Sequence, residues 1–156
     1  MARPLLSHLE SLAKEIHERY RNDQAELQKS DAPEIRSWDE LPEDIKYSNL
    51  SQARHIADKL RLIGCGIVSK NADAAKLVSF SPEETEYLSV VEHDRWMHER
   101  FSSGWKYGGT KSAEEKESPY LVPWDQLSED VKELDRNAVR NIIPLLDSVG
   151  LAVYRL

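Results

Sequence analysis

Thirty residues from Trp38 to Ile67 are answered eighty-six positions later by Trp124 to Val153, with ten positions identical. The matched pairs are Trp38/Trp124, Asp39/Asp125, Leu41/Leu127, Glu43/Glu129, Asp44/Asp130, Lys46/Lys132, Arg54/Arg140, Ile56/Ile142, Leu60/Leu146 and Gly64/Gly150. A chain that carries the same turn, cap and apolar positions twice is expected to build the same local structure twice, each copy covering the other's apolar face. Two copies point to a pseudo-two-fold pair rather than a solenoid. Upstream the offset shortens to seventy-six, where Ile16-His17-Glu18-Arg19-Tyr20 answers Glu92-His93-Asp94-Arg95-Trp96. Ten extra residues therefore lie between these blocks in the second copy and are a candidate for specialisation. A rival register sets His17-Glu18-Arg19-Tyr20 against His98-Glu99-Arg100-Phe101.

With 156 residues, 40% of them apolar, the chain has enough material for one core and too little for two independent ones. It reads as a single domain over 1–156, with copy one spanning about 7–68, a linker about 69–80 and copy two about 81–156. A net charge of −7 and no basic tract argue against a nucleic acid polymer as partner, because phosphate-backbone binding rests on clustered Lys and Arg. The lone Cys65 cannot close an internal disulfide, the N-terminal apolar run is too short for a signal peptide, and no stretch is long enough to insert in a membrane. A cytoplasmic location is the expectation.

The fold class expected from these patterns is mainly α, a duplicated pseudo-two-fold helical repeat with short β-strands. Ser7 and Glu10 form a capping-box pattern ahead of Leu9, Leu12, Ala13, Ile16 and Tyr20, which predicts a first helix from about Ser7 to Gln28. Ser81-Pro82-Glu83-Glu84 opens its counterpart, which should end at Phe101 or Ser102, before Gly104. Each copy then predicts a loop, a short helical turn after Leu-Pro-Glu-Asp or Leu-Ser-Glu-Asp, and a long helix N-capped by Asn49 or Asp135 and closed by Gly64 or Gly150. The β-branched runs Ile67-Val68 and Val153-Tyr154 are candidates to pair as a ribbon. Pro144 is expected to kink the last helix by removing a backbone donor and crowding the Arg140 carbonyl. Lys70–Ala75 reads as linker, and Thr110–Pro119 as a charged loop.

Chemistry concentrates in Glu92-His93-Asp94-Arg95-Trp96, followed by Gly104-Trp105-Lys106-Tyr107-Gly108-Gly109. On a helix His93, Trp96 and Arg100 share one face and Glu92, Arg95 and Glu99 a neighbouring one. Aromatic planes beside a few polar groups suit a planar heterocycle, stacked on Trp or Tyr and read at its edge. The alternative is structural: core tryptophans, a satisfied histidine, and Glu92 and Glu99 in surface ion pairs with Arg95. For catalysis there is no candidate nucleophile, since Cys65 sits beyond a helix C-cap, where nothing lowers a thiol pKa. No short-spaced His/Cys pattern marks a metal site, and His55 and His98 read as exposed helix residues. Neither phosphate-cradling glycine motif is present, so no resident cofactor is expected.

The succession His93-Asp94-Arg95-Trp96, Gly104-Trp105-Lys106-Tyr107-Gly108, Pro119-Tyr120-Leu121-Val122-Pro123-Trp124, Leu127-Ser128-Glu129-Asp130 and the helix closing at Gly150 resembles the RyR domain, the duplicated module named from ryanodine receptors and also found in bacterial proteins. The nine-residue step from Trp96 to Trp105 fits that family and favours the seventy-six register. The resemblance implies a mostly helical module that is not known as an enzyme. Receptor modules of this kind bind adenine nucleotides between the tryptophans of their Gly-Trp-x-Tyr loops. Carried over, only Trp105 and Tyr107 match, because the first copy continues after Tyr20 as RNDQAELQ.

Residues and resemblance together lead to the expectation of a non-catalytic sensor for a nucleotide or nucleotide-derived signal, adenine-type favoured, held in the cleft between the two repeats. Trp105 and Trp96 would stack the base, Tyr107, His93 and Asn49 would offer polar contacts, and Arg54, Arg95 and Arg136 would neutralise phosphate. The helix start near Asn49 would add backbone donors. The alternative is a protein interaction or assembly module, a homo-oligomer included, because Trp, Tyr and Arg are frequent interface anchors.

Overall fold

From the Trp turns onward the elements recur at the same eighty-six-residue offset as the sequence. In the computed structural model, residues 8–25 and 36–156 are described. Helices α1 (Leu9–Ala25), α2 (Glu43–Arg54) and α3 (Ile56–Leu62) lead into strand β1 (Cys65–Ser69). Then follow α4 (Pro82–Ser102), β2 (Lys106–Tyr107), β3 (Glu117–Ser118), α5 (Glu129–Arg140), α6 (Ile142–Ser148) and β4 (Leu151–Arg155). Single 3-10 turns at Trp38–Glu40 and Trp124–Gln126 precede α2 and α5. The mainly helical class with short strands is as the sequence implies.

The chain forms two compact units whose boundaries are not those of the copies. One takes the chain up to Val78 together with Ile142–Leu156, so the last helix and strand of copy two belong to it; the other is Ser79–Asn141. In the first unit α1 packs on α2 and on α6, and α3 and α6 lie against β1 and β4. Its buried side chains include Leu12, Ala13, Ile16, Ala53, Ile56, Leu60, Ile67, Leu145, Leu146 and Val153. In the second unit α4 packs on α5, and Leu88, Leu121, Leu127 and Val139 are the buried apolar residues. Thr85, Ser89, Glu92, His93 and Ser118 are buried there too, so polar contacts have to hold much of this interior together.

The predicted ribbon forms. β1 and β4 pair antiparallel with Cys65 opposite Arg155, Ile67 opposite Val153 and Ser69 opposite Leu151. Because Ile67 and Val153 are equivalent in the two copies, this register maps onto itself when the copies are exchanged. Leu77 bridges to the far edge of β4 at Val153, tying the linker to the ribbon. Gly64 and Gly150 close α3 and α6 at φ +72 and +79, the left-handed region where a Cβ is costly.

Helix α4 starts and stops where expected. The Ser81 side chain accepts from the Glu84 N–H while Glu84 accepts from the Ser81 N–H, and Pro82 fills the first helical position. The predicted Ser7 cap and Gln28 end of the first helix fall outside the described residues.

Three expectations are corrected. Asn49 and Asp135 do not open helices: α2 and α5 begin at Glu43 and Glu129 and run through them, with Asn49 donating from its amide to the Ile45 carbonyl one turn back. The acids after Leu-Pro and Leu-Ser thus sit in the first turn of the long helices rather than in a separate turn. Pro144 does not kink a continuous helix. The chain breaks at Asn141, so Pro144 lies in the first turn of α6, where its missing N–H would have no helical partner. Copy one breaks at the equivalent His55 with Asp58 in place of the proline, so the interruption belongs to the repeat and not to Pro144. His55 is consequently a half-buried junction residue and not an exposed helical one.

Candidate functional site

The same four-part arrangement occurs in both copies. His93, nearly fully buried, donates from Nε2 to the Val122 carbonyl at 2.7 Å, and its ring lies 6.1 Å from Trp124. Lys132, one turn further into α5, places its ammonium 5.5 Å from the Trp124 ring. In copy one His17 Nε2 bonds the carbonyl of Arg36, which is the equivalent of Val122, its ring lies 6.3 Å from Trp38, and Lys46 stands 5.8 Å over that ring. A carbonyl only accepts, so each imidazole carries its proton on Nε2. This equivalence gives the role of His17 to His93 and not to His98, which is exposed, and so decides between the two registers. Each histidine pins the approach to the Trp turn onto the long helix that precedes it.

On the second unit the aromatic series continues outward. His93 stacks on Trp96 at 5.8 Å with an interplanar angle of 22°. The guanidinium of Arg100, one turn on, lies 5.6 Å from Trp96 and 5.4 Å from Trp105, so it bridges the two indoles. Trp105 returns to α4 because its N–H donates to the Arg100 carbonyl at 2.9 Å, after Gly104 turns the chain at φ +91. Both indoles are half-buried; Tyr107, two residues on, is 58% exposed.

The ten additional residues of copy two lie between Trp96 and Trp124, where the chain makes the Trp105 loop and the β2–β3 pair. The stretch read as an irregular loop is in fact tied down: β2 and β3 run parallel, Ser112 and Glu117 exchange backbone hydrogen bonds, and Lys116 donates to the Ser103 carbonyl. A Cβ on Gly108 would stand 2.6 Å from Glu117, so this position requires glycine. Tyr107 and Trp105 are therefore carried on a constrained segment.

Arg95 and Arg136, two of the three arginines expected to meet phosphate, are occupied. Arg95 binds Glu92 through Nε and Nη2 at 2.9 and 2.8 Å and Glu99 through Nη1 at 3.3 Å, with side-chain exposures of only 9%, 6% and 9%. The expected surface ion pairs are thus buried. Burial by itself lowers the Arg95 pKa, but the charges and hydrogen bonds of Glu92 and Glu99 outweigh it and the net shift is upward. Arg136 grips Glu86 with Nε and Nη2 at 2.8 and 3.1 Å, joining α5 to α4, and reaches Glu129 and Glu133 with Nη1. Hydrogen bonding to Arg136 holds the Glu86 carboxyl below its ordinary range. The Arg136 guanidinium also lies 5.8 Å from Trp124.

The structure therefore places His93, Trp96, Arg95, Trp105, Tyr107 and Arg136 on one unit, with His93, Trp96 and Trp105 in one series through Arg100. Asn49, inside α2, and Arg54, exposed in its last turn, belong to the other unit. Arg100 was absent from the sequence-derived site, although its i+4 spacing from Trp96 was visible. The Trp–Lys pairs were legible as well, since Trp38/Lys46 and Trp124/Lys132 are identities shared by the copies at one spacing. Among the described residues no group of three His, Cys, Asp or Glu is placed to hold a metal, and no helix is long and apolar enough to cross a membrane.

Comparison with known families bears on this same stretch. The sequence model of the RyR domain matches residues 73–155, which take in α4, the Trp105 loop, the Trp124 turn, α5, α6 and β4, more than half of the chain. The chain belongs to the RyR domain family.

Proposed function

We propose that this RyR domain is a non-catalytic ligand-sensing module that binds a nucleotide or nucleotide-derived signalling molecule, adenine-type in preference, on the aromatic face of its second unit. The observation that carries this reading is the half-buried Trp105, held by a glycine-dependent loop beside the exposed Tyr107. A ring fixed in place and open on one side offers a heterocycle a stacking surface at little conformational cost. Trp105 and Tyr107 supply the stacking and edge contacts. His93, Arg95 and Arg136 serve from behind, since their polar groups already hold the Val122 carbonyl and the carboxylates of α4 and α5.

The test is thermal denaturation of the purified chain with adenine and guanine nucleotides, dinucleotides, cyclic oligonucleotides and ADP-ribose derivatives. A ligand at a hundred times its dissociation constant adds about 2.7 kcal/mol to stability. The expected result is a shift with one class, lost in Trp105→Ala. No shift across the panel, with both proteins folded, refutes the sensor.

A second reading, a protein interaction module, is favoured by one observation: Tyr87, Phe101, Tyr107, Tyr120 and Leu134 of the second unit are all exposed. Concentration-dependent association that survives Trp105→Ala, without response to any nucleotide, supports it.

A further inference from the structure

The geometry points to Arg100 as the residue that reads an anionic group on the ligand, in place of Arg95 and Arg136. This rests on the nucleotide reading above and narrows it to a ligand whose charge lies close to its stacked ring. Arg95 and Arg136 each engage Nε, Nη1 and Nη2 with carboxylates. An anion approaching either would have to displace a glutamate already in place. Arg100 differs. Among the described residues its hydrogen bond runs from Nη1 to Glu99 Oε2 at 2.9 Å, and its side chain remains 27% exposed.

A guanidinium has five N–H donors in a rigid planar fork, so a single bond to Glu99 does not exhaust it as Arg95 and Arg136 are exhausted. The group is also positioned in advance. Two indoles flank it at 5.6 and 5.4 Å, and Glu99, which holds it, is itself fixed by Arg95. Preorganisation of this kind lowers the entropy cost of a bidentate contact to phosphate or carboxylate. Glu99 is shared between Arg95 and Arg100, so it is the exclusive partner of neither cation. The buried Arg95–Glu92–Glu99 cluster then has a purpose beyond stability: it sets the position of the reading arginine.

The opposite role is physically open and separable. If the guanidinium merely occupies the indole surface that the ring needs, removing it strengthens binding of charged and uncharged ligands alike.

The experiment is calorimetric titration of the full chain and of Arg100→Gln with AMP, adenosine and inorganic pyrophosphate, after circular dichroism has shown the variant folded. A charge-assisted bidentate contact is worth about 1.5–3 kcal/mol, or roughly 10–100-fold in affinity. The wild type should prefer AMP to adenosine by that factor, and Arg100→Gln should abolish the preference while adenosine affinity stays within about threefold. Arg100→Lys, with the charge but not the fork, should fall between. An unchanged AMP-to-adenosine ratio in Arg100→Gln overturns the assignment, and so does a joint gain for both ligands. Pyrophosphate binding that needs Arg100, without any binding of AMP or adenosine, sustains the anion site and removes the adenine-type preference; silence with all three probes overturns the assignment, while the wider nucleotide reading stands or falls with the thermal panel.

Discussion

Replacing Arg95 by methionine should be the most damaging single change in the second unit. Arg95 stands 2.8 Å from Glu92 and 3.3 Å from Glu99, and none of the three side chains is more than 9% exposed. At an effective dielectric of about 20, unit charges at these distances attract by about 5–6 kcal/mol per pair. Desolvation of the three ions offsets much of that, which is why removing one partner from a buried pair costs about 3–5 kcal/mol. The loss comes chiefly from buried carboxylates that give up their contacts to Arg95. Glu92 gives up two hydrogen bonds to Arg95, and Glu99 one while keeping Arg100 at 2.9 Å.

Two consequences follow for Arg95→Met. For a chain of this size the melting temperature should drop by about 6–20 °C at neutral pH. The deficit should shrink as pH falls, because a buried carboxyl that loses a cationic contact titrates higher than before, and the cost of its charge, complete at high pH, disappears once it is protonated in both states. The double variant Glu92→Met/Arg95→Met removes the buried charge that lost Arg95 and should recover part of the loss. Denaturant titration at neutral and acidic pH measures all three proteins. If Arg95→Met lies within about 1 kcal/mol of wild type, the cluster behaves like a surface pair, and Arg95 is free to meet a ligand after all.

The Glu86–Arg136 pair predicts a second pH effect. Arg136 lowers the Glu86 pKa from the ordinary 4.5, so this contribution is complete above that value and is lost as pH falls through the lower, folded one. Arg136→Gln should flatten the acid limb of the stability profile, and an unchanged limb counts against the pair. At the helix starts, Ser81→Ala removes the Oγ that accepts from the Glu84 N–H at 3.1 Å and should cost about 1 kcal/mol by chemical denaturation, whereas Ser128→Ala, whose cap bond is 3.4 Å, should cost less. The reverse order would contradict the cap geometry. Gly64→Ala and Gly150→Ala meet no atom within 4 Å, so each should cost only the left-handed conformation, about 1 kcal/mol and nearly equal in the two copies. A large difference between them would reveal a clash that the backbone does not show.

How far the chain could be read on its own depended on the range of the forces involved. The duplication, the α4 boundaries from Ser81-Pro82 to the turn at Gly104, the two glycine stops and the pairing of Ile67 with Val153 were all legible, because caps, turns and β-branched runs act over a few neighbouring residues. Asn49 and Asp135 misled as caps because the same side chains that cap a helix also sit within one, and only the preceding Pro42 and Ser128 show which applies. The Glu92–Arg95–Glu99 spacing left both a structural ion-pair cluster and a ligand-binding wall open, since periodicity names a face and not its burial. Tertiary structure decided that the cluster is buried, that His17 and His93 each hold the carbonyl before a Trp turn, and that Arg100 lies between two indoles. It also assigned the last helix and strand of copy two to the unit built from copy one. Sequence determined the repeated local structure, through interactions within a turn or two of chain. Which charges are shielded and which arginine stays open depends on residues brought together from distant positions, and that only packing could settle.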